Sequence, residues 1–171
     1  MTAAGWAGTV AAQESGSSLS KRDETFLRQA IETSMKARKN GNHPFGALLV
    51  GREGKILAVA ENTVITGHDA TMHAESNVIR EASRAHGGDA LKDATLYTST
   101  EPCVMCCGAI HWAGIPRVVY ACSEATLGKL AGDDFLFPCR QIFSKSTHPV
   151  EVVGPALEAE AVEAHKGYWR S

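Results

Sequence analysis

His73, Glu75, Cys103 and Cys106 are the residues of this chain whose types and spacing could do chemistry. They occur in two pieces, His73-Ala74-Glu75 and Glu101-Pro102-Cys103-Val104-Met105-Cys106. Zinc takes thiolate and imidazole ligands, and a catalytic site keeps one tetrahedral position for water. Cysteines three residues apart share one face of a helix. His73, Cys103 and Cys106 can therefore supply three ligands to one Zn2+ per chain. Glu75 is a carboxylate placed to carry the proton of a water activated there. A C-x-x-C alone also suits a redox pair, but that reading leaves His73 and Glu75 without a role. A closed structural zinc needs a fourth protein ligand. The nearest candidate, Cys107, projects about 100° away from Cys106 on the same helix.

The elements that must position these groups follow from periodicity and punctuation. Ser20, with Asp23 three residues on, is the expected cap of a first helix carrying Phe26, Leu27, Ala30, Ile31 and Met35, stopped by Asn40-Gly41. A strand is expected over Pro44–Val50, and Gly51-Arg52-Glu53-Gly54 turns it into a second at Lys55–Asn62. Thr63–Met72 reads as a loop that delivers His73. A helix follows from His73 to Ala85, ended by His86-Gly87-Gly88. Thr95–Ser99 is a short strand, and Pro102 suits the first position of a helix running to Gly114. Arg117–Ala121 and Val150–Val153 complete five strands. Leu127–Pro138 is mixed and is expected to wrap the site, and Pro155 is expected to open a last helix reaching Trp169. His73 and Glu75 lie about 200° apart on an ideal helix. They converge on one metal only if the helix begins at the site and presents its end to it. Strands alternating with helices late in the chain argue an α/β fold with a mixed sheet covered on both faces.

The remaining composition excludes several classes of function. The chain has 44% hydrophobic residues and a formal net charge of −2. Nothing overall pulls it toward nucleic acid or an anionic membrane, and no transmembrane run is present. Met1–Ser18 has neither the basic start nor the apolar core of a signal peptide; residues 1–19 are read as a flexible leader with Trp6 as its sizeable side chain, and 20–171 as one domain. Cys107, Cys122 and Cys139 show no disulfide framework and are expected to be buried free thiols of a cytoplasmic protein.

The H-x-E…P-C-x-x-C pairing resembles the signature of the zinc-dependent cytidine deaminase superfamily of nucleobase and nucleoside deaminases. The resemblance spans roughly Asp23 to Trp169. It implies a three-layer α/β/α fold with a five-stranded mixed sheet, hydrolytic loss of ammonia from an amino-heterocycle, and a homodimer or larger assembly. It further implies that water attacks the amino-bearing carbon while Glu75 moves its proton to the ring nitrogen. Pro-Phe-Gly-Ala, Thr-Ser-Thr-Glu-Pro-Cys-Val-Met-Cys-Cys-Gly-Ala and the late Gly-Asp-Asp-Phe look most like the bacterial guanine deaminases. The aromatic end, Tyr168-Trp169, is similar to the closing tail of guanine and fungal cytosine deaminases. The tRNA adenosine deaminases share Glu-Pro-Cys-x-Met-Cys and are the alternative. A third reading, a non-enzymatic relative with folding zinc, does not need Glu75.

Substrate contacts follow from the same resemblance. Asn62 offers an amide donor and acceptor to a base, as against a plain turn asparagine. Phe45 stacks on the base or packs in the core. Ala74 is small enough to let a base lie against the backbone. Asp133 and Asp134 stand where guanine deaminases place an acidic pair near the substrate, and Trp169 closes the pocket. Glu101 is either a supporting acceptor or a helix-terminal carboxylate. Trp112 is assigned to core or subunit contact, and none of the remaining histidines to a metal. The acidic residues Glu151, Glu158, Glu160 and Glu163, set against Lys166, argue for a small-molecule nucleobase and against nucleic acid.

Overall fold

The computed structural model describes residues 19–132 and 135–169. The leader reading with Trp6, and the assignments to Asp133 and Asp134, lie outside the described residues.

Helix α1 (Lys21–Lys39) begins with the expected capping box: Ser20 Oγ accepts the Asp23 N–H at 3.0 Å, and Asp23 accepts the Ser20 N–H at 3.2 Å. Strands β1 (Gly46–Val50) and β2 (Ile56–Glu61) form an antiparallel hairpin across the 51–54 turn. The segment expected as a loop contains a four-residue helix, α2 (Val64–Gly67). Then follow α3 (Ala74–His86), β3 (Thr95–Thr100), α4 (Val104–Ala113) and β4 (Arg117–Cys122). Helix α5 (Glu124–Ala131) runs into the mixed stretch, and α6 (Cys139–Phe143) follows it, ahead of β5 (Glu151–Val153).

The last helix differs from expectation. It does not start at Pro155; α7 covers only Glu158–Val162, and a 3-10 turn follows over Glu163–His165. Ala156 N–H is held by Ala121 O, which ties residues 154–156 to β4. Leu157 takes a left-handed conformation before the helix can begin, and Gly167 turns the chain out again at φ 68°. Trp169 is thus reached by a turn. Pro102 also falls short of the helical position assigned to it, because Cys103 is the N-cap of α4.

The sheet order is β2-β1-β3-β4-β5, with β1 antiparallel to both neighbours and β3, β4 and β5 parallel. Strand alternation divides the core into two layers. Ala47, Leu49, Leu96, Val118, Tyr120 and Val152 face one way, onto Val78, Ile79 and Ala82 of α3, Ile110 of α4 and Phe143 of α6. Leu48, Val50, Tyr97, Val119, Ala121 and Val153 face the other, onto Leu27, Ala30 and Ile31 of α1 and Ala161 of α7. This is the expected three-layer α/β/α arrangement. At the start of β1 the layers touch closely. A Cβ on Gly46 would lie 2.5 Å from Ser34 N and 2.6 Å from Ala30 O, so only glycine lets β1 run against the backbone of α1. No helix among the described residues is long and apolar enough to cross a membrane.

Candidate active site

Two helix N-termini, from α3 and α4, meet at the carboxyl end of β3. His73 is the N-cap of α3 and Cys103 the N-cap of α4, both in extended backbone conformation. The residue after each cap turns into the helix, so each motif offers its first turn to one point. That resolves the angular problem of His73 and Glu75: the histidine is not yet on the helix, and the glutamate is on its first turn. The two helix ends also favour negative charge at that point.

His73 Nδ1 lies 3.6 Å from Cys103 Sγ and 3.6 Å from Cys106 Sγ. Tetrahedral zinc, with bonds of about 2.3 Å to sulfur and about 2.0 Å to nitrogen, separates such donors by about 3.6 Å. The three donor atoms all lie within 4.8 Å of one another, and they are placed to form a metal site. Cys107 is not a fourth ligand: its thiol donates to Pro102 O at 3.3 Å in the buried layer. The two ligand thiols act as a pair. The hydrogen bond from Cys106, and then His73, hold Cys103 well below the ordinary thiol range. The same hydrogen bond to Cys103, with burial, raises Cys106. One thiolate is thus favoured by the protein, and a bound dication supplies the drive for the second. Cys103 also favours a proton on His73, which metal binding displaces.

Glu75 is 5% exposed. Thr98 Oγ1, from β3, donates to its Oε1 at 2.7 Å, and Oε2 faces Cys106 Sγ at 3.4 Å. Among the described residues no salt bridge engages it, and burial pushes its carboxyl above the usual range. Thr98 carries no sequence signal for this role. It is one of several strand threonines until the fold sets it beside Glu75.

A cavity of about 380 Å³ opens on these groups. Its walls include Phe45, His73, Glu75 and Cys103, the α5 residues Leu127, Gly128 and Ala131, then Phe135, Leu136 and Trp169. The structure thus brings together His73, Glu75, Cys103, Phe45 and Trp169, with Cys106 buried behind Cys103. It sets two other candidates off the cavity wall. Ala74 is wholly buried in the core layer of α3. Asn62 is buried with its Oδ1 accepting the Val64 N–H at 3.0 Å, which occupies its acceptor in starting α2. The chain on either side of Asp133-Asp134, at Ala131 and Phe135, lines the cavity.

Trp169 is held by partners that sequence reasoning passed over. Its ring stacks on His43 at 5.5 Å and on His165 at 6.0 Å, and its Nε1–H donates to His165 Nδ1 at 3.3 Å. Burial, then Arg38, hold His165 down to about 4, so it is a neutral acceptor at neutral pH. Arg38 also donates to the carbonyls of Ala164 and Lys166, tying the tail to α1. The only signal for this cluster was a run of aromatic and histidine residues without spacing. Trp112 is not core: it is 86% exposed on α4. The acidic residues of the tail are not a free strip either. Glu151 pairs with Arg117, Glu160 with Arg28 and Glu163 with Lys166, while Glu158 accepts from Ser123.

Residues 20–122 match the family described as the cytidine and deoxycytidylate deaminase zinc-binding region. The chain is 41% identical over 160 residues to a probable cytosine deaminase of Schizosaccharomyces pombe, covering 91% of this chain and 97% of the relative. It is 42% identical over 120 residues to a guanine deaminase of Bacillus subtilis, covering 70% and 76%. A solved structure from a study of A-to-I editing by tRNA:A34 deaminases superposes with a TM-score of 0.70 at 31% identity, covering 82% of this chain and 99% of that one.

Proposed function

The chain belongs to the cytidine and deoxycytidylate deaminase zinc-binding family, and from that premise we propose that it deaminates a free nucleobase, guanine first and cytosine second. The family's reaction is hydrolytic: water replaces an amino group on the ring, giving an oxo group and ammonia. His73, Cys103 and Cys106 would hold the zinc ion, which when bound would supply Lewis-acid activation of water. Glu75 would accept one proton from the attacking water and deliver it to the ring nitrogen, then take the remaining proton of the added hydroxyl and pass it to the leaving amine as the C–N bond breaks and the oxo group forms. Its burial suits that double duty, because a carboxyl raised above its usual range holds a proton more readily between the two transfers. Thr98 fixes one oxygen and leaves the other to move the proton. Phe45 and Trp169 offer aromatic faces to a planar ring.

The observation that carries the free-base reading is the seat of Trp169. The tail is tied down by Arg38, His43 and His165 and lines the same cavity as Glu75. A ribose on the base would have to share that space with the indole ring. The choice of guanine rests on Asp133-Asp134, bracketed in the chain by cavity-lining residues. An ionised carboxylate only accepts hydrogen bonds, and guanine keeps a ring N–H that guanosine has lost. Asn62 stays in the proposal as a donor through its amide nitrogen, and Ala74 as the small residue whose buried methyl leaves the backbone open to a base. An ammonia-release panel over guanine, cytosine, adenine, isocytosine, aminotriazines, their nucleosides and a tRNA anticodon stem-loop tests the proposal. Free guanine should exceed guanosine by about 10²-fold or more, the scale of an unpaired buried polar group. Equal turnover of base and nucleoside, or inosine formation in the stem-loop at rates rivalling any base, overturns it.

A homodimer belongs to the same proposal. Helix α4 turns Val104, Met105 and Trp112 outward, and the space beside Gly108 is open. Light scattering at micromolar concentration should give twice the chain mass of 18.2 kDa; a monomer mass contradicts it.

A further inference from the structure

Glu101 precedes the ligand turn and borders the same cavity as Glu75 and Cys103, while both its side-chain oxygens are taken by backbone amides. It is 8% exposed. One oxygen, Oε2, accepts the backbone N–H of Glu124 at 3.0 Å. The other, Oε1, accepts the backbone N–H of Cys139 at 2.8 Å. Those two amides are the first of α5 and the first of α6. A single carboxylate therefore closes both ends of the segment 124–139. Every cavity-lining residue between α4 and the tail comes from that segment: Glu124, Leu127, Gly128, Ala131, Phe135 and Leu136. Glu101 itself is fixed at its backbone, where its N–H donates to Cys122 O at 2.8 Å at the end of the β3–β4 ladder. Two residues further on stands Cys103.

We propose that Glu101 is a positioning residue for substrate choice: it sets the distance between the metal ligands and the α5–α6 side of the base pocket by accepting from Glu124 and Cys139 at once. The chemistry of the clamp is particular to a carboxylate. Both acceptors are used, each by a donor with no alternative acceptor inside its own short helix. Glutamine has nearly the same shape but presents an NH2 where one of the two amides needs an oxygen. Aspartate is one methylene short yet keeps both acceptors. A side chain that merely fills space would tolerate glutamine better than aspartate. A two-acceptor clamp reverses that order. The inference rests on the cavity being the base site, whichever base the panel identifies, and one of its readouts needs no turnover.

The experiment compares the zinc-loaded wild type with Glu101→Gln and Glu101→Asp. Steady-state kinetics are run on the best base of the panel, beside hydrogen–deuterium exchange and zinc content. In Glu101→Gln, KM should rise by about tenfold, the scale of one charge-assisted hydrogen bond, while kcat changes by less than about threefold and zinc stays at one per chain. Exchange should quicken in peptides covering 124–139 and stay unchanged over α3. Glu101→Asp should recover part of the KM. Unchanged exchange over 124–139 overturns the proposal, as does a milder effect of glutamine than of aspartate. A fall in kcat and zinc content with KM unchanged overturns it too, since that marks support of the metal site instead of the wall. If no base is turned over by the wild type, the substrate reading fails, and the exchange comparison alone decides the clamp.

Discussion

Asp23 on α1 and Glu75 on α3 are each 5% exposed, on helices that cover opposite faces of the sheet, and they do opposite things. Asp23 is surrounded by donors. Arg117 approaches both its oxygens, at 2.8 and 3.1 Å, Tyr97 donates at 2.8 Å, and Ser20 donates through both its N–H and its hydroxyl. Burial alone would raise its carboxyl, but Arg117, Ser20 and Tyr97 together hold it well below the usual range. Glu75 has the burial without a neighbouring salt bridge, and its carboxyl moves up. Burial is overcome at Asp23 by Arg117, Ser20 and Tyr97, and at the more deeply buried Glu75 it outweighs the single Thr98 hydrogen bond. What separates them is the supply of donors: among the described residues no lysine or arginine pairs with Glu75, and its neighbours His73, Cys103 and Cys106 are placed to hold a metal ion.

The comparison can be broken most sharply at Glu75. Glu75→Gln keeps the acceptor for Thr98 and removes the proton carrier. Deamination should fall by about 10²-fold or more, the scale of lost acid–base catalysis. Metal analysis should still give one zinc per chain, and the melting temperature should not drop, because no ion pair is lost. Lost zinc or retained turnover would remove Glu75 from the proton-carrying role.

Asp23→Asn should show the reverse pattern. Among the described residues it leaves the Arg117 guanidinium, 22% exposed, with Glu151 as its one carboxylate partner. Urea unfolding should show a loss of about 2–3 kcal/mol, below the cost of breaking a fully buried pair because Arg117 keeps some contact with water. Activity per folded molecule should be unchanged. The sign of the pH dependence follows. Asp23 has a folded pKa below its unfolded value near 3.8, so its contribution is fully present above that pH and is lost as pH falls below it. Asp23→Asn should therefore flatten the acid limb of stability without altering the pH–rate profile near neutrality. A variant as stable as the wild type at pH 7 would contradict the pairing.

Much of this was legible because the chemistry is local in sequence. Ser20 and Asp23 announce a capping box at fixed spacing, and the box forms. His73, Glu75, Cys103 and Cys106 sit at helix starts signalled by their own neighbours, and two helix ends suffice to bring them together. The wall of the pocket was not legible in the same way. Helix α5 is announced only by Ser123, whose side chain accepts from Thr126 N, and α6 by Pro138 ahead of it. Both are too short for a period to establish itself. Thr98 and Glu101 have roles fixed by strand register and by contacts 23 and 38 residues away in the chain. Leu157 broke the expected last helix because tertiary contacts of residues 154–156 with β4 overrule local propensity. Asn62 has a type that suits a base, and in the fold its Oδ1 also accepts the Val64 N–H that starts α2, a local use its type equally allows.

The central assignment is an open zinc centre of one imidazole and two thiolates, with Glu75 beside it and outside the ligand set. Zinc K-edge absorption on the purified protein tests it most directly. The expected spectrum fits two sulfur donors at about 2.3 Å and two lighter donors at about 2.0–2.1 Å, one from His73 and one from solvent. A third or fourth sulfur at the metal would show a closed structural site and contradict the assignment.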